Sequence, residues 1–170
     1  VSSRNEVRVS GFLDQFRKTI VQSVWKDTPD IPSRIELDDK IALGVLLWVV
    51  AEEDKTFLPE EESAIKEILE TQGGVTPEVM PVVLGAIKLA ARERIDLFTF
   101  TREVSQDLPY AAKKEIVENL FRVACADGDL AHEEQGVIRK IAGLCGVDHK
   151  DFIAAKLRIK KEFGLDTFGF

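Results

Sequence analysis

Ala124-Cys125-Ala126-Asp127-Gly128-Asp129-Leu130-Ala131-His132-Glu133-Glu134 is the stretch on which the fold turns. It joins two apolar helical patterns through a short acidic turn. An earlier stretch repeats it: Ala51-Glu52-Glu53-Asp54-Lys55-Thr56-Phe57-Leu58-Pro59-Glu60-Glu61-Glu62. Shifting residues 41–73 by 73 positions onto 114–146 makes nine of the 33 pairs identical. They are Leu47/Leu120, Val50/Val123, Ala51/Ala124, Asp54/Asp127, Glu60/Glu133, Glu61/Glu134, Ile65/Ile138, Ile68/Ile141 and Gly73/Gly146. Ordinary residue usage gives about two such matches by chance. The shared unit is a helix, an acidic turn and a second helix, with a third helix after the glycine.

Working outward, apolar residues recur at three and four rather than at two, so the class is all-α. A first helix is predicted at about 9–25, with Phe12, Phe16, Ile20 and Val24 on one face. Thr28 to Pro32 breaks it. Further helices are predicted at about 37–54, 59–72, 76–92, 97–107, 109–126, 132–145 and 149–163. Pro59 suits a first helical position, and Gly73 and Gly146 suit helix ends. The stretch 76–92 is apolar nearly all round and reads as the central buried helix, with Pro81 able to delay its start. Asp96 and Asp148 are placed to cap the helices after them. The expected architecture is a single domain of seven to eight helices built from two pseudo-symmetric three-helix repeats. Residues 1–35 form the amphipathic helix and linker, and 36–170 the helical domain. Repeat one covers about 37–92 and repeat two about 110–163.

Charge narrows the function. The chain has 170 residues, with 30 acids against 23 Lys and Arg, for a net −7. Eleven acids and three bases fall in residues 36–70, so that window carries −8 and the rest +1. An acidic balance argues against nucleic acid or anionic lipid as the main partner. The longest apolar run, Ile41 to Ala51, is short of the roughly 18–20 residues of a membrane span. Val1 to Ser10 lacks a signal-peptide core, so a soluble, cytoplasmic protein is expected. Cys125 and Cys145 lie in apolar helical patterns and read as core residues.

The acidic turns are the candidate site. A tight turn at Gly128 brings Asp127, Asp129 and Glu133 or Glu134 close together, an oxygen set that suits Ca²⁺ or Mg²⁺. The spacing is not that of an EF-hand. A structural alternative stands beside it. Acids in a first helical turn favour the helix dipole, and Glu61 and Glu134 are placed to cap their helices. Glu52, Glu53 and Asp54 crowd one helix C-terminal end and Asp127 sits at the other, where the dipole disfavours them, so they need either a cation or a basic side chain. His132 and His149 read as solvated residues. No nucleophile elbow, phosphate loop or paired Glu-x-x-His motif occurs, so a non-catalytic protein is expected.

The run Ala124 to Glu134 with Ile138-Arg139-Lys140-Ile141-Ala142 resembles the tellurite-resistance TerB-like family. So do Asp96-Leu97-Phe98-Thr99-Phe100-Thr101 and Val147-Asp148-His149-Lys150-Asp151-Phe152-Ile153-Ala154-Ala155. The resemblance covers about 37–163 and is nearer to an uncharacterised bacterial branch than to the tellurite-operon protein. It implies an all-helical domain, a divalent-metal-binding acidic cluster and a role in bacterial stress responses. By motif match the metal positions are Asp54, Glu60 and Glu61 in the first copy and Asp127, Asp129, Glu133 and Glu134 in the second. Lys55 departs from the pattern where the second copy has Gly128. The cofactor expected is a divalent cation, Ca²⁺ or Mg²⁺. The partner expected is a protein, basic or membrane-associated, with no nucleic acid and no membrane insertion; a homodimer is open. The alternative is a metal-independent interaction module using the acidic face.

Overall fold

The computed structural model describes residues 34–52, 58–92, 97–106 and 108–165. Among them are seven helices and no strand. We number them α1 (Arg34–Glu52), α2 (Pro59–Thr71), α3 (Met80–Arg92), α4 (Leu97–Ser105), α5 (Tyr110–Ala124), α6 (His132–Cys145) and α7 (His149–Glu162). The helix expected at about 9–25 and the cap expected at Asp96 lie outside the described residues.

The helix pairs repeat as the sequence does. In the first copy α1 packs on α2 and α3; in the second, α5 packs on α6 and α7. The copies meet through α1 against α5, with α2 on α5 and α6 on α1. Equivalent positions are buried alike: Leu47 and Leu120, Val50 and Val123, Ala51 and Ala124, Ile65 and Ile138, Ile68 and Ile141 all belong to the core. That is the physical content of the 73-residue period, since identical apolar residues face identical surroundings. This arrangement is consistent with the expected pair of three-helix units. The short α4 lies outside the repeat and closes the core over α6 and α1 with Phe100.

The centre of the molecule is α1, not the stretch 76–92. Val45, Leu46, Leu47, Val50 and Ala51 are fully enclosed, and α1 touches α2, α3, α4, α5 and α6. By contrast α3 buries Met80, Val83, Leu84, Ala86 and Ile87 while leaving Pro81, Gly85 and Lys88 exposed. Pro81, Gly85 and Lys88 are spaced by four and three, so they form one solvent-facing stripe. The chain already turns at Thr76, whose carbonyl accepts the amide of Met80 at 2.9 Å. Pro81 then falls in the first helical turn, where its missing N–H costs nothing. Gly44 sets how near α1 and α3 approach: a Cβ there would meet Cδ1 of Ile87 at 2.2 Å.

Polar clasps tie the second copy together. Tyr110 donates from its hydroxyl to Asp151 at 2.6 Å and accepts the Asp148 amide at 3.0 Å. Arg158 reaches Glu118 at 3.1 Å, and Arg122 reaches Glu162 at 3.0 Å. Asp148 occupies the N-cap position of α7 but makes no side-chain cap bond. Between the copies, the buried Asn119 exchanges amide hydrogen bonds with the exposed Gln72 at 2.7 and 3.0 Å. Arg122 adds a third bond to Asn119 at 2.8 Å. A buried amide with its donors and acceptors met holds the α2–α5 register.

Candidate functional site

The second acidic turn is built by a few local bonds. The α5 helix ends at Cys125, and its carbonyl accepts the Gly128 amide at 3.0 Å. Gly128 has φ +90°, a conformation that a residue with a Cβ adopts only under strain. One oxygen of Asp127 then accepts the Asp129 amide at 3.1 Å, and one oxygen of Asp129 accepts the Leu130 amide at 2.8 Å. Leu130 packs against the core, as its apolar character requires. Asp127, Asp129, His132 and Glu133 are exposed.

Glu134 goes the other way. It is 1% exposed, and its Oε1 accepts the amide of Ala131, the residue before the helix, at 3.3 Å. Glu61 does the same in the first copy: it is fully buried and accepts the Leu58 amide at 3.0 Å. Leu58 and Ala131 carry no side-chain oxygen, so only the glutamate half of a capping box forms. Each of these acids satisfies a backbone donor that a helix start would otherwise leave unmet. The remaining first-copy acids differ. Glu60 is exposed, and Glu62 pairs with Lys66 at 3.5 Å and with Lys88 at 3.9 Å. Glu53, Asp54 and Lys55 lie outside the described residues.

The electrostatic setting of the second turn is legible at Cys125. Its thiol is pushed up to about 12, first by burial and next by Glu134, with Asp127 and Asp129 adding to the rise. Lys160 acts in the opposite direction. Three acids of the turn and one lysine of α7 therefore act on the same sulfur. Lys160 offsets the acids of the turn at the Cys125 sulfur, but among the described residues it forms no ion pair with Asp127. It is 26 positions from Glu134 in the chain, and no local pattern announces it. Cys145 is also buried, and burial raises its thiol too. Both cysteines are free thiols of the core.

The structure thus leaves Asp127 and Asp129 exposed in the turn and Glu133 exposed at the start of α6, and draws Glu61 and Glu134 inward. Among the described residues no three acidic, histidine or cysteine side chains form a group that could hold a metal ion. His132 is exposed, and His149 stacks on Phe152 with ring centroids 6.0 Å apart. Among the described residues no helix is long and apolar enough to cross a membrane.

Fold and turn together define a class: all-helical proteins carrying a repeated helix–acidic turn–helix unit. The family model described as Tellurite resistance protein TerB matches residues 40–157. The chain belongs to the TerB family. The match takes in both acidic turns and stops within α7. No curated protein matches the chain. No solved structure matches it either.

Proposed function

We propose that the chain is a non-catalytic cation-binding protein of a bacterial, tellurite-type stress response that works in the cytoplasm. Its second acidic turn would take a hard divalent ion, Ca²⁺ or Mg²⁺, held largely through the ion's own water. What supports this is the fixed geometry of Asp127 and Asp129. In each, one carboxylate oxygen is tied to a turn amide and the other is left for a ligand, and Glu133 in the next helical turn is exposed as well. Pre-set oxygens of this kind suit a cation that keeps part of its hydration shell. Glu134 contributes field rather than a ligand atom, because its carboxylate caps α6 from within. Asp54, Glu60 and Glu61 belong to the same proposal for the first copy, with Glu61 in the capping role.

A second reading has its own support. With Glu61 and Glu134 turned inward, no three donors converge among the described residues. The outward acids then form a charged face for a basic protein partner, with electrostatics setting the rate of encounter. Thermal unfolding with added Ca²⁺ or Mg²⁺ separates the two. Cation binding raises Tm by mass action, and Asp127→Asn with Glu133→Gln removes the rise. If no divalent ion moves Tm at millimolar concentration, the cation reading fails and the interaction module stands.

A further inference from the structure

The two flanks of α7 are treated differently. Along the flank facing α5, every long charged group has a partner: Asp151 takes the Tyr110 hydroxyl, Arg158 takes Glu118, and Glu162 takes Arg122. Along the flank facing α6 lie Phe152, Lys156 and Lys160, spaced by four and therefore stacked on one face. Arg139 of α6 reaches over the same flank, with its guanidinium carbon 5.6 Å from the centre of the Phe152 ring. Lys156 and Lys160 are half-buried. Among the described residues Arg139, Lys156 and Lys160 form no ion pair with a carboxylate.

From this juxtaposition we infer that Arg139, Lys156 and Lys160 form an anion site for a multiply charged oxyanion, a phosphate or phosphoryl group. Like charges one turn apart destabilise a helix, and half-burial removes the water that would screen them. The Lys156 ammonium is accordingly held below the usual lysine range, first by burial, then by Lys160 and Arg139. A bound oxyanion relieves all three at once. Arg139, set over the Phe152 ring, supplies a planar fork for two oxygens, and the lysines supply point charges. Gly136 and Gly143 stand three and four positions from Arg139 on α6, with open space where a Cβ would lie, so the approach to Arg139 is not crowded. The chain's net charge opposes anion binding, so a local cluster of cations that form no ion pair is more telling here than in a basic protein.

The same chemistry is presented by free phosphate and by a phospholipid headgroup, and two arms separate them. The first titrates the full chain with inorganic phosphate at constant ionic strength and follows Tm. A saturable rise of about 3–6 °C at ten times Kd is expected. Arg139→Gln and Lys156→Gln should each weaken binding at least tenfold, while Lys150→Gln on the exposed surface leaves it unchanged. The second arm floats the protein with vesicles of phosphatidylglycerol or of phosphatidylcholine. Flotation with phosphatidylglycerol alone, lost in the same two variants, assigns the site to a headgroup. Near-UV circular dichroism of each variant checks its fold. The inference is overturned if Tm follows only ionic strength and neither vesicle binds. It is also overturned if either response survives in both Arg139→Gln and Lys156→Gln.

Discussion

Replacing Glu134 by alanine separates a capping acid from a ligand acid. The side chain is enclosed, so the change removes one buried methylene besides the carboxylate, about 0.8 kcal/mol. It also removes the acceptor of the Ala131 amide. That bond is long at 3.3 Å, so its loss costs about 1.5 kcal/mol, the low end for a charged acceptor. Alanine recovers a few tenths of a kcal/mol in helix propensity, roughly 0.3. The net expectation is about 2 kcal/mol. At 2–4 °C per kcal/mol for a chain of this size, Tm falls by about 4–8 °C. Urea denaturation followed by circular dichroism at 222 nm reads the free energy directly, with an unchanged slope if the unfolded state is unaffected. Glu134→Gln keeps the methylenes and a carbonyl acceptor and should cost under about 1 kcal/mol. The equivalent Glu61→Ala, with its shorter bond of 3.0 Å, should cost at least as much as Glu134→Ala. The capping account is refuted if Glu134→Ala unfolds within about 0.5 kcal/mol of the wild type. It is equally refuted if glutamine is as damaging as alanine.

Other consequences follow from single residues. Cys125 titrates near 9 when unfolded and at about 12 when folded, because burial disfavours its thiolate. Its folded pKa is the higher one, so its contribution is complete below pH 9 and is lost between about 9 and 12. Stability should therefore decline across that window, and less steeply in Cys125→Ala; native protein at pH 8 should resist thiol reagents that label it in denaturant. Gly128→Ala forces a Cβ into φ +90° and should cost about 1–2 kcal/mol. Gly136→Ala, in a helix with open space around it, should gain about 0.5–1 kcal/mol in chemical denaturation. Tyr110→Phe loses the hydroxyl that links Asp151 to the Asp148 amide, and about 0.5–1.5 kcal/mol of stability with it.

The repeat carried most of the fold into the sequence. A period of 73 residues with matched apolar positions places α1, α2, α5 and α6 because each pair must bury the same face. The end of α6 was equally plain, since Gly146 sits at φ +83° where only a residue without a Cβ is at ease. What escaped was set by contacts between distant segments. The central helix was misplaced because composition does not show which face meets solvent: Pro81, Gly85 and Lys88 lie exposed along α3, while α1 is enclosed by five neighbours. The capping role of Glu61 and Glu134 was legible as one of two alternatives. Choosing between them needed the third dimension, where Leu58 and Ala131 offer no oxygen and the glutamate turns inward. Lys160 beside the acidic turn and Arg139 beside Lys156 depend on how α7 lies against α5 and α6. Side-chain spacing along one helix says nothing about the flank of another.

The central claim is that Asp127, Asp129 and Glu133 form the binding face of the second turn while Glu134 holds the helix behind it. The most direct measurement is an amide nitrogen–proton correlation spectrum of the full chain, titrated with Ca²⁺ and with Mg²⁺. The account predicts saturable shifts concentrated at residues 127 to 133, persisting in Glu134→Gln and lost in Asp127→Asn with Glu133→Gln. Spectra that stay unchanged to 10 mM, about tenfold above the Kd of the weakest extracellular calcium sites, would contradict it. So would shifts that vanish in Glu134→Gln while that variant remains folded.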